Sequence, residues 1–233
     1  MILDILFPSI CFGCSGRLRG GESSPICDTC IGSLSKVDAL ICPKCRGRVP
    51  FRAKGRPIQA APCHPRADYL LLALSGYENP VARSLVRCLK FERRAAIGRA
   101  LAVPVVRLLR QVAFVPDLII PIPLSSARLC RRGFNQAGQI TAQLATEFKV
   151  EHAVDILRRV RDTRPQTLLR GSRARTKNLE NCFVVTNAAA VNGKIILLVD
   201  DVWTSGATMN AAARELKVAG AQRILAVVIA RAR

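Results

Sequence analysis

Apolar residues in this chain cluster into short runs separated by stretches with a different period. Residues 195–199 (Ile-Ile-Leu-Leu-Val) are apolar at every position, which is how a strand buried on both faces of a parallel sheet reads. Residues 69–74, 117–124, 183–185 and 223–230 read as further strands. Between them the period lengthens. From Pro80 onward Val81, Leu85, Val86 and Leu89 fall at helical spacing, with Arg83, Arg87 and Lys90 on another face. Ile140, Leu144 and Phe148 mark one face of a helix over 136–148, and residues 207–218 carry helix formers up to a stop at Gly220. A helix over 95–112 contains Pro104, which predicts a break or kink. Strands alternating with helices define an α/β class.

The chemistry concentrates after the run at 195–199. Asp200-Asp201 follows it, then Val202-Trp203, then Thr204-Ser205-Gly206-Ala207-Thr208 at the start of the last helix. In an open α/β sheet, ligands sit at strand carboxyl ends, where helix N-terminal amides point at an anion. Thr204, Ser205 and Thr208 offer hydroxyl donors, and Gly206 allows close backbone approach, a set suited to a monophosphate. Two carboxylates repel bare phosphate, so they call for hydroxyl donors or a cation such as hydrated Mg²⁺. An acidic strand end also occurs in P-loop ATPases, but the G-x-x-x-x-G-K-[ST] loop of that class is missing from the sequence. A second anion loop is predicted after the strand at 117–124, where residues 125–136 collect Arg128, Arg131 and Arg132 with amide and hydroxyl donors. Residues 157–177 hold eight basic residues and one acid, too much charge for a core, and read as an exposed loop and short helix able to act as a lid.

Composition adds a second unit. Seven of the ten cysteines lie within the first 63 residues, as Cys11-x-x-Cys14, Cys27-x-x-Cys30 and Cys42-x-x-Cys45 with Cys63 beyond. Each knuckle turns two thiolates onto one ion, and Cys11, Cys14, Cys27 and Cys30 make a closed zinc set. Cys42 and Cys45 need two more ligands, for which only Cys63 and His64 are near. Adjacent residues seldom point at one metal, which leaves a degenerate second site or a different pairing of knuckles open. The expected division is a metal-binding unit with a basic arm over residues 1–66 and an α/β domain over 67–233. The opening residues have no basic n-region, and the apolar runs stop short of the ~20 residues of a membrane span, so a cytoplasmic protein is expected. The net charge of +20, from 36 basic and 16 acidic residues, attracts phosphate on nucleotides or nucleic acid. Aromatics at 5% are too few for an extensive base-stacking platform.

The Asp-Asp strand end with Thr-Ser-Gly-Ala-Thr resembles the signature with which type I phosphoribosyltransferases bind phosphoribosyl pyrophosphate (PRPP). The whole chain is similar to the ComF family of phosphoribosyltransferase-like proteins, known from bacterial competence. The pieces that match are the cysteine knuckles, Leu89-Lys90-Phe91, Pro121-Ile122-Pro123-Leu124, Arg131-Arg132-Gly133-Phe134-Asn135-Gln136, Thr163-Arg164-Pro165-Gln166-Thr167 and Asn178-Leu179. The resemblance implies a parallel sheet flanked by helices with a small N-terminal zinc ribbon. It implies that Asp200 and Asp201 meet the ribose diol and Mg²⁺, and that Thr204, Ser205, Gly206, Ala207 and Thr208 hold the 5′-phosphate. Leu124, Ser125, Ser126 and Arg128 would form the pyrophosphate loop, Arg132 and Lys90 further anion contacts, and the region of Arg164 and Gln166 the mobile loop. One departure is Cys63-His64-Pro65-Arg66, where relatives offer another Cys-x-x-Cys. Two functions follow from the likeness. One is Mg²⁺-dependent transfer of ribose 5-phosphate to an unidentified acceptor, linked to DNA uptake. The other is a non-catalytic, nucleotide-sensing module that binds single-stranded DNA or a competence partner.

Overall fold

The structure, a computed structural model, describes residues 9–18, 24–34, 37–51, 61–91, 95–161 and 181–232. The elements in chain order are α1 (Asp28–Leu34), β1 (Ala39–Ile41), β2 (Arg48–Pro50), β3 (Leu70–Gly76), α2 (Pro80–Phe91) and α3 (Ala95–Gln111). Then come β4 (Leu118–Pro121), α4 (Ser126–Arg132), α5 (Gln136–Phe148), β5 (Glu151–His152), β6 (Leu157–Arg159) and β7 (Phe183–Val185). The chain ends with α6 (Ala188–Val191), β8 (Ile195–Trp203), α7 (Ala207–Val218) and β9 (Arg223–Arg231).

Seven strands form one sheet in the order β2-β1-β3-β9-β8-β4-β5. The five from β3 to β5 are parallel, and β1 joins β3 antiparallel at one edge. The expected metal-binding unit and the α/β domain thus share a sheet. On β8, Leu197 and Val199 face one core, while Ile196 and Leu198 face the other; β9 splits in the same way, with Val227 and Ile229 against Ala226 and Val228. Helices α2, α3 and α5 cover the first face and α7 the second. That double burial explains why these strands read as continuous apolar runs. The β6–β7 pair packs Leu157 and Phe183 under α7's face of the sheet.

Several elements depart from the sequence reading. Helix α3 runs unbroken through Pro104. The ring removes one hydrogen bond, but Leu101, Ala102, Val105, Val106, Leu108 and Leu109 are all buried around it, and that packing outweighs the loss. The stretch from residue 157 begins as strand β6 rather than as a loop, with Leu157 buried; Arg164, Gln166 and the rest of the expected lid lie outside the described residues.

The chain changes direction between β4 and β8. From β4 it leaves through α5 on one face to the edge strand β5; from β8 it leaves through α7 on the other face to β9. A crevice opens at the carboxyl ends of two neighbouring strands whose connections diverge in this way.

Candidate functional site

That crevice is a cleft of about 530 Å³, within the range of ligand pockets. Its walls come from the ends of β3 (Tyr77), β4 (Ile122, Pro123, Leu124) and β8 (Asp200, Asp201, Val202). Lys90 reaches in from the last turn of α2, while Arg128, Arg131 and Arg132 come from α4 and Arg159 from β6. Five cations thus face two carboxylates.

Each carboxylate has a partner beside the cleft. Strand β8 continues past both to Trp203, pairing Asp200 with Val228 and Val202 with Ala230, where the sequence suggested that the acids close the strand. Asp200 accepts a hydrogen bond from the Asp201 amide at 2.8 Å, and Asp201 pairs with Lys90 at 3.4 Å. Burial pushes the Asp200 carboxyl up to about 7, and the charge of Asp201 adds to that rise. The Arg132 guanidinium is lowered by burial, although Asp201 and Asp200 oppose the change. A pair so crowded suits a site that receives a cation between the two groups.

Beyond β8 the chain turns through Thr204, Ser205 and Gly206 into α7. Gly206 has φ of 80°, and a Cβ there would lie 2.8 Å from Trp203 Nε1, so the tight turn against the indole needs glycine twice over. The Ala207 amide donates to Ser205 Oγ at 3.4 Å. Thr204 and Thr208 line the cleft; Ser205, Gly206 and Ala207 form the turn behind them. On the opposite wall Leu124, Arg128 and Arg132 reach the cleft, whereas Ser125 is buried at the start of α4 and its carbonyl accepts from Leu129. The expected loop at 125–136 is helical over 126–132, stopped by Gly133 at φ 74°. Asn135 then caps α5, its Oδ1 accepting from Ala137 at 3.1 Å and its Nδ2 donating to Ile122 O at 3.0 Å, which ties the loop to the end of β4.

Tyr77 and Arg159 reach the cleft only through the fold, while Arg131 and Gln136, read as part of a second anion loop, line it beside Arg128 and Arg132. Gln136 is 2% exposed and its Nε2 has no partner among the described residues, a donor left for a ligand. Neither histidine lines the cleft: His152 bonds Thr141 at 2.7 Å on β5, and His64 sits with the cysteines.

The cysteines form two groups. In one, the sulfurs of Cys11, Cys14, Cys27 and Cys30 all lie within 4.8 Å of each other; in the other, Cys42, Cys45, Cys63 and His64 do the same. Cys14 and Cys27 are 4.0 Å apart, Cys45 and Cys63 3.5 Å, and Cys42 Sγ and His64 Nδ1 3.4 Å. Thiolates at about 2.3 Å from a tetrahedral zinc would be about 3.8 Å apart, so both sets fit. Cys63 and His64, adjacent in sequence, do converge; a turn bridging Ala61 and His64 swings the imidazole back beside the thiol. The two knuckles repeat one backbone. Cys11 and Cys42 donate to the carbonyls of Gly16 and Gly47, and the amides of Ser15 and Arg46 donate back to Cys11 and Cys42. Burial opposes ionisation of Cys11, yet the amides of Cys27, Cys14 and Gly13 outweigh it and bring the thiol to about 7. Burial and its three thiol neighbours push Cys30 up, which is the crowding a dication relieves.

A parallel sheet covered on both faces, with an acidic strand end facing a phosphate-type turn across a basic cleft, is the architecture of the phosphoribosyltransferases. The phosphoribosyl transferase domain matches residues 129–233. The chain is 31% identical over 227 residues to the DNA utilization protein YhgH of Shigella flexneri, covering 93% of this chain and 94% of that one. It is 28% identical to competence protein F of Haemophilus influenzae, over 99% and 93% of the two chains, and 28% identical to competence protein ComFC of Bacillus subtilis, over 81% and 76%. The chain belongs to the ComF family. Among solved structures, an allosteric regulatory enzyme of purine biosynthesis matches 61% of this chain and 30% of its own at 17% identity, with a TM-score of 0.40.

Proposed function

We propose that the cleft binds PRPP with Mg²⁺ and transfers its ribose 5-phosphate to an acceptor in DNA uptake or nucleotide salvage linked to it. The observation that carries this is the facing of Asp200 and Asp201 against Lys90, Arg128, Arg131, Arg132 and Arg159 in one cleft. Asp200 and Asp201 would accept from the ribose hydroxyls and hold the cation. The turn from Thr204 to Thr208, at the amino end of α7, would take the 5′-phosphate. Leu124, Arg128 and Arg132 would surround the pyrophosphate, with Gln136 Nε2 as a further donor. Mg²⁺, when bound, takes up charge on the leaving pyrophosphate. The chain's own part is electrostatic: fixed guanidinium and ammonium groups stand where that charge develops, at no reorganisation cost. Each cysteine group would hold one structural zinc.

Titration calorimetry of the zinc-loaded protein with PRPP, with and without Mg²⁺, tests the reading. Binding that needs Mg²⁺ and is lost in D200N/D201N is expected; absence of PRPP binding under both conditions overturns it. A second reading, a binding module for single-stranded DNA or a competence partner, is favoured by a specific observation. No histidine lines the cleft to serve as a base among the described residues, while the names of the relatives point to DNA utilization and competence.

A further inference from the structure

The second cysteine group does not stand apart from the cleft. Arg46 follows Cys45 directly, and its guanidinium lies over the indole of Trp203 at 5.0 Å from the ring centroid. Its Nη2 is also 3.5 Å from the carbonyl oxygen of Thr204. Trp203 and Thr204 are the two residues that carry β8 into the phosphate turn, and Thr204 lines the cleft. The indole also packs against Gly206 and donates through Nε1 to the Tyr69 hydroxyl at 3.2 Å, which donates onward to Asn210 of α7 at 2.7 Å. The ring is 2% exposed. The turn and this indole are thus packed directly against each other.

The arginine is not there for the knuckle. The same backbone, with the same two hydrogen bonds, is built in the first knuckle around Ser15. Ser15 and Arg46 both adopt the left-handed conformation, at φ 60° and 61°. A non-glycine residue keeps that conformation only where its surroundings enforce it. At Arg46 the enforcement is the closed loop between Cys42 and Gly47, whose two cysteines belong to the metal set. The direction of the guanidinium therefore follows the closed knuckle, and the guanidinium adds one contact to an indole that β9 and Tyr69 also hold.

We infer that Arg46 is a positioning residue that links metal occupancy of the Cys42/Cys45/Cys63/His64 group to the conformation of the Thr204 to Thr208 turn, so that zinc and a phosphorylated ligand bind cooperatively. The ligand half of this statement rests on the function proposed above. The linkage is reciprocal: a ligand that orders the turn tightens zinc at this knuckle by the same factor.

Trp203 is the sole tryptophan, so its emission reports on the contact directly. Zinc-loaded wild type, R46A and R46K would be compared by fluorescence and by ribose 5-phosphate binding, before and after a zinc-selective chelator. Chelation is expected to shift wild-type emission, R46A to start at the shifted position, and R46K to lie between them. Ribose 5-phosphate is expected to bind about two- to fivefold more weakly to R46A, the range an exposed cation–π contact spans. Chelation should add little in that variant, because both changes remove one contact. Wild-type affinity in zinc-loaded R46A, or wild-type emission unchanged by chelation, overturns the inference. Where chelation unfolds the chain by circular dichroism, the zinc-loaded R46A and R46K pair decides alone. Should wild type bind no ribose 5-phosphate, the proposed function fails, and the fluorescence arm still decides whether knuckle and turn are coupled.

Discussion

At the scale of single residues the cleft trades stability for readiness. Asp200 has its carboxyl pushed from 3.8 to about 7, first by burial and then by Asp201. The native state therefore holds that proton more tightly than the unfolded chain, and this group's contribution to stability declines as pH rises from about 4 to about 7. Above pH 7 the folded protein carries a carboxylate that costs more to ionise than in the unfolded chain, a cost that the proposed Mg²⁺ would relieve. D200N removes the ionisation. In Mg²⁺-free buffer at pH 8 its melting temperature should exceed that of wild type by a few degrees, with the gain shrinking toward pH 5. The same variant should bind PRPP at least tenfold more weakly, as measured by calorimetry. A melting temperature below wild type at pH 8 would show that the pair is not strained in the empty site.

At the scale of elements, what the sequence made legible follows from period and chemistry. Helix α7 and strand β9 stood where the apolar pattern put them, because α7 buries one face at helical spacing and β9 buries residues 224–230 without a break. The short helices did not. Four residues in α6 and seven in α4 are too few to show a period, and α4 buries none of its residues. The acidic pair and the phosphate turn were legible as chemistry; Tyr77 and Arg159 were not, since only the fold brings β3 and β6 to that edge. Cys63 and His64 were visible but set aside by a rule about neighbours that the turn at Ala61 defeats. Two predictions belong here. N135A removes the cap of α5 and the tether to Ile122, and should lower unfolding stability by about 1–2 kcal/mol in urea denaturation. C63S should reduce zinc from two ions per chain to one, by elemental analysis, while C11S should lower the content independently; equal loss of both ions in either variant would mean the groups are not separate sites.

At the scale of the whole molecule, the question is what the excess charge is for. Thirty-six basic residues give the chain its net +20, yet five cations line the cleft among the described residues. Among the described residues outside the cleft, Arg83, Arg87, Arg99, Arg107 and Arg110 are exposed on α2 and α3, and a field of that sign condenses onto a polyanion by releasing its counterions. Two consequences follow if single-stranded DNA is a partner. Its affinity should fall steeply with salt, with a log–log slope of about −0.7 for each phosphate neutralised, so a footprint of four to six phosphates gives roughly −3 to −4. Saturating PRPP with Mg²⁺ should shift that affinity less than about threefold, because it neutralises a small share of the cations. Fluorescence anisotropy with a labelled oligonucleotide over 50–300 mM salt measures both. A salt-independent affinity would remove the electrostatic reading, and full displacement by PRPP would place the DNA backbone inside the cleft, where the arginines facing Asp200 and Asp201 would then serve the polymer and not the sugar phosphate.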